Sequence, residues 1–477
     1  MLIGIDIGTT AVKAALLDAH GNVMRRFAEA YSTRRPAPGH VEQDPSDWMA
    51  LVLRALSDLT PHGKAAAVGL CSQVNTHVFT DANGAALFPA ITWQDSRATD
   101  DAAALDARIV AADKLAWWGA PLPVDASHVL ARMAYVARTA PGLWRRTSLV
   151  LAPRDYCLLH LTGQAVADPM TNFGILDQRL APIASLLALV PGAAERLPRI
   201  AGFTTLAGHI RPGLPGAGLP VVTGAMDAWA GLYGAGVAED GQGLYLSGTS
   251  EILGIVAPER RPAAGVIAFA PCEGITLHAG PTQAGGAAAA WAASLLGCTP
   301  PELSLLAGKA LLAHVPLFLP QLGGERAPLW DPGAMGSFTG LTPGTGPAEL
   351  ARAVLEGVAY AARLVFDRLE QSAARGAAVI HHAGGGSASD LWCQVRADVL
   401  GKPLRRAANR DAGVLGAALM AGTGTGMFPS LRAAVRDAVS FDRDFAPDPS
   451  AADRHARRYE AYQLAYDKLV PVNRLLQ

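Results

Sequence analysis

Two carboxylates stand where a folded chain rarely leaves one. Asp6 sits inside the apolar run LIGIDIG and is followed at once by Gly8, Thr9 and Thr10. A buried strand does not carry an uncompensated charge without a structural or a chemical reason. Asp227 follows a second strand-like run, LPVVTG, and opens the small-residue stretch DAWAGLYGAG. As a helix N-cap it would need no further explanation. As a base it would take the proton of a hydroxyl group that meets a phosphate. Three glycine-rich turns accompany these acids, GIDIGTT, LSGTSE and HHAGGGSASD, each after an apolar strand-like run. Small residues let backbone N–H groups approach a phosphate, and neighbouring hydroxyls add donors. One such turn reads as an ordinary hairpin; three, two of them in the same Gly-Thr-hydroxyl form, read as a phosphate clamp formed by two halves of the chain.

Other phosphate motifs are absent. Gly308-Lys309 lacks both the glycine five residues earlier and the following Ser or Thr of a Walker A loop. No GxGxxG lies between a strand and a helix, which excludes a Rossmann dinucleotide fingerprint. A polar cluster gathers Gln73, Asn75, His77, Trp93, Asp95 and Arg97 within 25 residues. Amide, imidazole and carboxylate groups beside an aromatic ring suit a polyhydroxyl ligand, since each hydroxyl both donates and accepts. The plainer reading is a polar loop around a packed tryptophan, with His77 satisfied inside the protein.

These residues need elements to hold them. LIGIDIG, AVKAALLDA and NVMRRFAEAYS read as three strands of a meander joined by glycine turns. PSDWMALVLRALSDL places Trp48, Leu51, Val52, Ala55 and Leu56 at helical spacing, with Pro45 or Ser46 at its start. AAAVGLCS follows as a short buried strand, so the first region is α/β with a mixed sheet. GLYLSGTSEILGIV then repeats strand, Gly-Thr turn, strand, and Gly248-Thr249-Ser250 lies 240 positions after Gly8-Thr9-Thr10. That spacing, half the chain, suggests an internal duplication. Later segments, GPAELARAVLEGVAYAARLVFDRLEQSA and SDLWCQVRADVLG, are periodic helices. The last helix aligns Tyr459, Tyr462, Tyr466 and Leu469 on one face, expected to be docked core.

With 477 residues the chain is long enough for two or more domains. Half its residues are hydrophobic, 17% are charged, and the net charge is −1, so no basic field points to nucleic acid or an anionic membrane. The five cysteines, Cys71, Cys157, Cys272, Cys298 and Cys393, show no CxxC or zinc spacing and read as reduced thiols of a cytoplasmic protein. No signal peptide is expected, and the apolar stretch GAAAAWAASLLG is too short for a membrane helix.

Six ordered segments together resemble the FGGY family of carbohydrate kinases: GIDIGTTAVKA, PRDYCLLHLTG, FLPQLGGERAPLWDP, GSFTGLT, LARAVLEGVAYA and GGGSASDLWCQVRADVLGKP. The resemblance covers nearly the whole chain. It implies an α/β fold of two actin-like ATPase (ribonuclease H-like) domains with a cleft between them, residues 1–238 and 239–477, the terminal helix able to pack back on the first. It implies ATP and Mg²⁺ as cofactors, a small sugar or polyol as partner, a homodimer, and neither nucleic acid nor membrane as a target. By the same resemblance Asp6 lies near Mg²⁺ and the transferred phosphate, with Thr9, Thr10 and Lys13 along the phosphate path. Gly248 and Thr249 belong to a second phosphate loop, while Gly385, Gly386 and Ser389 approach the adenosine. Asp227 matches the catalytic base and, with Asp6, would face Mg²⁺ through water. Gln73, Asn75, His77, Trp93 and Asp227 are the expected substrate contacts.

The sugar is less plainly written. Gln73-Val74-Asn75 stands where xylulokinases of the family show Gln-Met-His and glycerol kinases Gln-Arg-Glu. Trp93-Gln94-Asp95 leans toward the glycerol form and GGERAP toward the xylulokinase form. Ala228 replaces an amide usual after the base, a hydroxyl partner worth about 0.5–1.5 kcal/mol, for which His77 could compensate. The expectation is γ-phosphate transfer from ATP to a small ketose, D-xylulose first. The alternatives are a kinase of glycerol, a tetritol or another ketose or polyol, and, from another class, a non-catalytic sugar- or nucleotide-binding protein.

Overall fold

The computed structural model describes residues 1–62, 64–261 and 263–476. They form two compact units. The first comprises Met1–Gly234, Phe269–Gly274 and Asp411–Val439; the second comprises Ala235–Ala268, Ile275–Arg410 and Ser440 onward. The sequence placed one boundary between 238 and 239. Here the first unit ends at Gly234 and regains two later segments, and the terminal helix Ala452–Leu475 lies in the second.

In the first unit the opening residues form the expected meander: β1 (Leu2–Ile7), β2 (Ala11–Leu17) and β3 (Val23–Ala30), antiparallel throughout. β4 (Ala67–Ser72) adds parallel to β1 and is buried along its whole length, as a central parallel strand covered on both faces must be. β5 (Leu206–His209), β6 (Pro220–Val222) and the short β7 (Ala225–Met226) complete the sheet, in the order β5-β6-β4-β1-β2-β3 with β7 also on β4. Helix Pro45–Leu59 buries Trp48, Leu51, Val52, Ala55, Leu56 and Leu59 against one face. Its cap is Asp44, whose Oδ1 accepts from Ser46 N at 3.0 Å, and Pro45 fills the first helical position where no N–H is needed.

The other face of this sheet is covered by a helix from far along the chain, Ala412–Gly424. It approaches so closely that a Cβ on Gly4 or Gly69 would lie 1.9 Å from its backbone carbonyls. Apolar on all sides, it carries no stripe from which periodicity could predict what it packs on.

The second unit repeats the plan. β8 (Gln242–Ser247) and β9 (Glu251–Val256) form the hairpin; β10 (Ile267–Ala268) and β11 (Leu277–Pro281) extend it on one side. β12 (Val379–Ala383), β13 (Leu404–Ala407) and β14 (Phe441–Phe445) extend it on the other. In both sheets a meander is followed by two parallel strands and an antiparallel edge, so the Gly-Thr repeat marks a duplication of whole sheets. Helix Pro347–Ala373 supplies much of the core of this unit. On the terminal helix Tyr459 and Tyr462 are buried, with Tyr462 Oη accepting from Gln321 Nε2 at 2.9 Å; this face is docked core, as its spacing predicted.

Candidate active site

In the first unit the carboxyl ends of three parallel strands collect the two unusual acids. Asp6 pairs in register with Cys71 of β4, while Ala225 and Met226 of β7 pair with Cys71 and Ser72 on β4's other side. Asp227, the next residue, begins helix Asp227–Gly234. Asp6 and Asp227 thus stand on opposite sides of the carboxyl end of β4, about two strand spacings apart, roughly 10 Å at the usual strand separation. Ligands of open α/β sheets bind at such carboxyl ends.

Asp6 is half-buried, but its Oδ1 is shielded from water and accepts no hydrogen bond. Burial raises its pKa to about 6, against the opposing pull of the Cys71 thiol and the Lys13 ammonium. A Cβ on Gly413, at the start of helix Ala412–Gly424, would lie 2.9 Å from Asp6 Oδ2, so only glycine leaves that side of the carboxylate open. Lys13 Nζ reaches Asp411 Oδ1 at 3.1 Å, and Arg26 meets the other oxygen at 3.3 Å. Asp227 Oδ1 accepts from the N–H of Ala228 at 2.8 Å, so the acid does anchor its own helix start.

The turn Gly8–Thr10 is tied to the polar cluster. Trp93 Nε1 donates to Thr9 Oγ1 at 3.1 Å, and Gln43 Nε2 donates to the Thr9 carbonyl at 2.8 Å. Gln73 Nε2 donates to Gln43 Oε1 at 2.8 Å, and Tyr31 Oη donates to the Gly8 carbonyl. Asp95 is buried; it accepts Val41 N at 2.6 Å and holds Arg97, which also reaches Glu42 at 2.8 Å. Thr9, Gln73 and Trp93 therefore share one hydrogen-bonded network, while Thr10 is exposed beside them. Asn75 lies in the bend that leaves this network and His77 at an isolated bridge to Ile91 just before the strand Val78–Thr80, His77 buried and within 2.9 Å of Arg132. Gln43 and Tyr31 were missed by sequence reading. Neither belongs to a motif, and only the closing of the meander onto the turn brings them in.

The second unit gathers the other predicted residues. Gly248 and Thr249 are exposed between β8 and β9, and the first turn of helix Gly286–Leu295 docks on them. Gly286 N donates to the Gly248 carbonyl and Ala287 N to the Thr249 carbonyl, each at 2.9 Å. Gly385 and Gly386 follow β12, the strand parallel to β8, so both glycine turns emerge from carboxyl ends of neighbouring strands. Ser389 caps helix Asp390–Leu400, accepting from Trp392 N at 3.2 Å, and its hydroxyl also meets Ser304. Beneath them lies a fully buried ion pair unseen in the sequence, Arg396 to Glu251 at 2.7 Å. Arg396 also donates to the Gly386 carbonyl at 2.9 Å, and Glu251 accepts Ser247 Oγ at 2.9 Å and Tyr245 Oη at 2.7 Å. Helix Asp390–Leu400 is thereby bonded to the strand that leaves the Gly248 turn.

The N-terminal domain model of the FGGY family of carbohydrate kinases matches residues 1–234, and its C-terminal domain model matches residues 243–425. The chain belongs to the FGGY family of carbohydrate kinases. It is thus an ATP-dependent phosphotransferase with a carbohydrate alcohol group as acceptor, and its two units have the actin-like ATPase fold. Xylulose kinase of Escherichia coli strain K12 is 30% identical over 99% of this chain and 100% of its own. Glycerol kinase of Aromatoleum aromaticum is 31% identical over 90% of this chain and 91% of its own. Among solved structures, ligand-bound xylulose kinase from Lactobacillus acidophilus superposes with a TM-score of 0.91 at 26% identity, covering 100% of this chain and 99% of that one. Gluconate kinase from the same organism gives 0.89 at 25% identity, covering 98% and 97%. Among the described residues of this FGGY kinase no helix is long and apolar enough to cross a membrane, and all five cysteines are free thiols.

Proposed function

We propose that this FGGY kinase transfers the γ-phosphate of ATP to a hydroxyl of a small ketose, D-xylulose first. The observation that carries the substrate is the end-to-end similarity to xylulose kinase of Escherichia coli. Asp227 acts as the base. It accepts the proton of the attacking hydroxyl as the new O–P bond forms, the bond between the β-bridging oxygen and the γ-phosphorus breaks, and ADP leaves. Gln73, Asn75, His77 and Trp93 hold the sugar, and Thr9, Thr10 and Lys13 take up phosphate oxygens. In the second unit Gly248 and Thr249 offer backbone N–H groups to phosphate, with Gly385, Gly386 and Ser389 beside the adenosine.

Mg²⁺ fits the residues present, because Asp6 offers a shielded oxygen with no protein partner. Asp6 and Asp227 would hold the ion through water, and it would supply charge neutralisation on the transferring phosphate. The free thiols support a reducing, cytoplasmic setting.

A second reading, glycerol or another polyol as acceptor, is favoured by the similarity to glycerol kinase and by Trp93-Gln94-Asp95. ADP release measured with Mg·ATP over D-xylulose, D-ribulose, L-xylulose, glycerol and erythritol decides between them. The proposal expects D-xylulose to give the highest kcat/KM, at or above about 10⁴ M⁻¹s⁻¹. A higher value for glycerol transfers the assignment to the second reading. Asp227→Asn should lower kcat by about 10²–10⁴; a variant with full sugar-dependent turnover removes Asp227 as the base.

A further inference from the structure

Arg132, on helix Val129–Thr139, is fully buried, yet its hydrogen bonds run to backbone carbonyls and one imidazole. It donates to the carbonyls of Ile91 at 2.9 Å and Ala126 at 3.2 Å, to those of Asn75 and Thr92 more closely still, and to His77 Nδ1 at 2.9 Å. A buried guanidinium is costly and needs a full set of acceptors. Here four of the five acceptors come from the two segments that carry the substrate cluster: Asn75 and His77 on one, Ile91 and Thr92 immediately before Trp93 on the other. Asn75 has left-handed backbone, φ 55°, a conformation uncommon outside glycine and one that asparagine adopts more readily than most side chains. Its side chain is held as well, Nδ2 donating to Ser127 Oγ at 3.1 Å, which donates to Asp125 Oδ1 at 2.7 Å.

A guanidinium can only donate. His77 Nδ1 must then accept, which leaves the proton on Nε2 and the ring neutral. We propose that Arg132 is a positioning residue for sugar recognition, locking residues 73–77 and 91–93 in one register and fixing His77 as a neutral Nε2–H donor. The inference rests on the substrate assignment of Asn75, His77 and Trp93 made above.

Burial and the neighbouring cation push the His77 pKa well below its ordinary value, with His128 adding to the effect from the helix start. Arg132 in turn faces Asp95, Arg97 and Asp125.

The test uses the full chain with Arg132→Met, Arg132→Lys and the milder Ser127→Ala, reading KM for D-xylulose and for ATP and following the His77 imidazole by NMR. Arg132→Met should raise the sugar KM about tenfold or more and leave the ATP KM within about twofold. In this variant His77 should titrate closer to its ordinary range, whereas in the parent its ring should stay neutral with the proton on Nε2. Arg132→Lys should recover part of the loss, and Ser127→Ala should raise the sugar KM by a smaller factor. If Arg132→Met does not fold, the lysine and Ser127 variants decide by the same split. Equal changes in the two KM values, or a parent His77 protonated on Nδ1, overturn the proposal. If the parent phosphorylates no sugar or polyol, the functional reading fails separately, and the imidazole titration still decides what Arg132 does to His77.

Discussion

The indole N–H of Trp93 donates to the hydroxyl of Thr9 at 3.1 Å, joining the substrate cluster to the first glycine turn. Neither residue lies near the other in sequence, and each was expected to serve a different ligand. The bond makes the aromatic wall and the phosphate turn one unit, so their mutational effects should not add. A double-mutant cycle of Trp93→Phe and Thr9→Val on kcat/KM should give a coupling of about 1 kcal/mol. Strict additivity would show that the bond does not matter to turnover.

Asp6 combines a functional position with an unfavourable environment. Its folded pKa of about 6 exceeds the 3.8 of an unperturbed aspartate, so the folded protein holds this proton more tightly than the unfolded chain does. Stability is therefore fully present below about 3.8 and is lost as pH rises through about 6. Asp6→Asn, which cannot ionise, should melt higher than the parent at pH 7–8, by a gap that closes as pH falls toward 4. The same variant should be inactive. A lower melting temperature at pH 8 would show that the ionised carboxylate is already well compensated.

Gly286 brings a helix start onto the second glycine turn. A Cβ there would lie 2.5 Å from the Gly248 carbonyl oxygen, and backbone cannot yield as a flexible side chain does. Gly286→Ala should displace the Gly248–Thr249 turn and raise the ATP KM by about tenfold, with the sugar KM little changed. An unchanged ATP KM would remove this turn from nucleotide binding.

The pair Arg396–Glu251 is fully buried, and Arg396→Met would leave Glu251 without its cation. Breaking one side of such a pair costs about 3–5 kcal/mol. Urea denaturation should show a loss of this size, and adding Glu251→Gln should recover part of it by removing the stranded charge. No recovery would indicate that the guanidinium acts mainly through the Gly386 carbonyl.

Much of this site was legible because its pieces are local. Asp6 with Gly8–Thr10, Gln73 with Asn75 and His77, and the Gly248 and Gly385 turns each lie within one strand–turn segment, where residue type and apolar alternation already say what the backbone does. The supporting residues left no such mark. Tyr31 looks like the end of an ordinary strand and Gln43 like a loop residue until the chain folds over the first turn, and Arg132 and Arg396 look like surface arginines on amphipathic helices until their burial is seen.

By itself, then, the sequence determined the two α/β units and their shared strand–turn–strand openings, because these depend on short-range patterning, while the kinase chemistry came from the resemblance of six ordered segments to one family. Tertiary structure alone decided that the apolar helix Ala412–Gly424 returns to the first sheet and brings Gly413 against Asp6, leaving that carboxylate half-buried with one oxygen unpaired. It also decided that Arg132 grips both segments of the substrate cluster. Long-range packing of uniformly apolar or isolated charged residues carries no periodic signal, and the contacts exist only once distant segments have met.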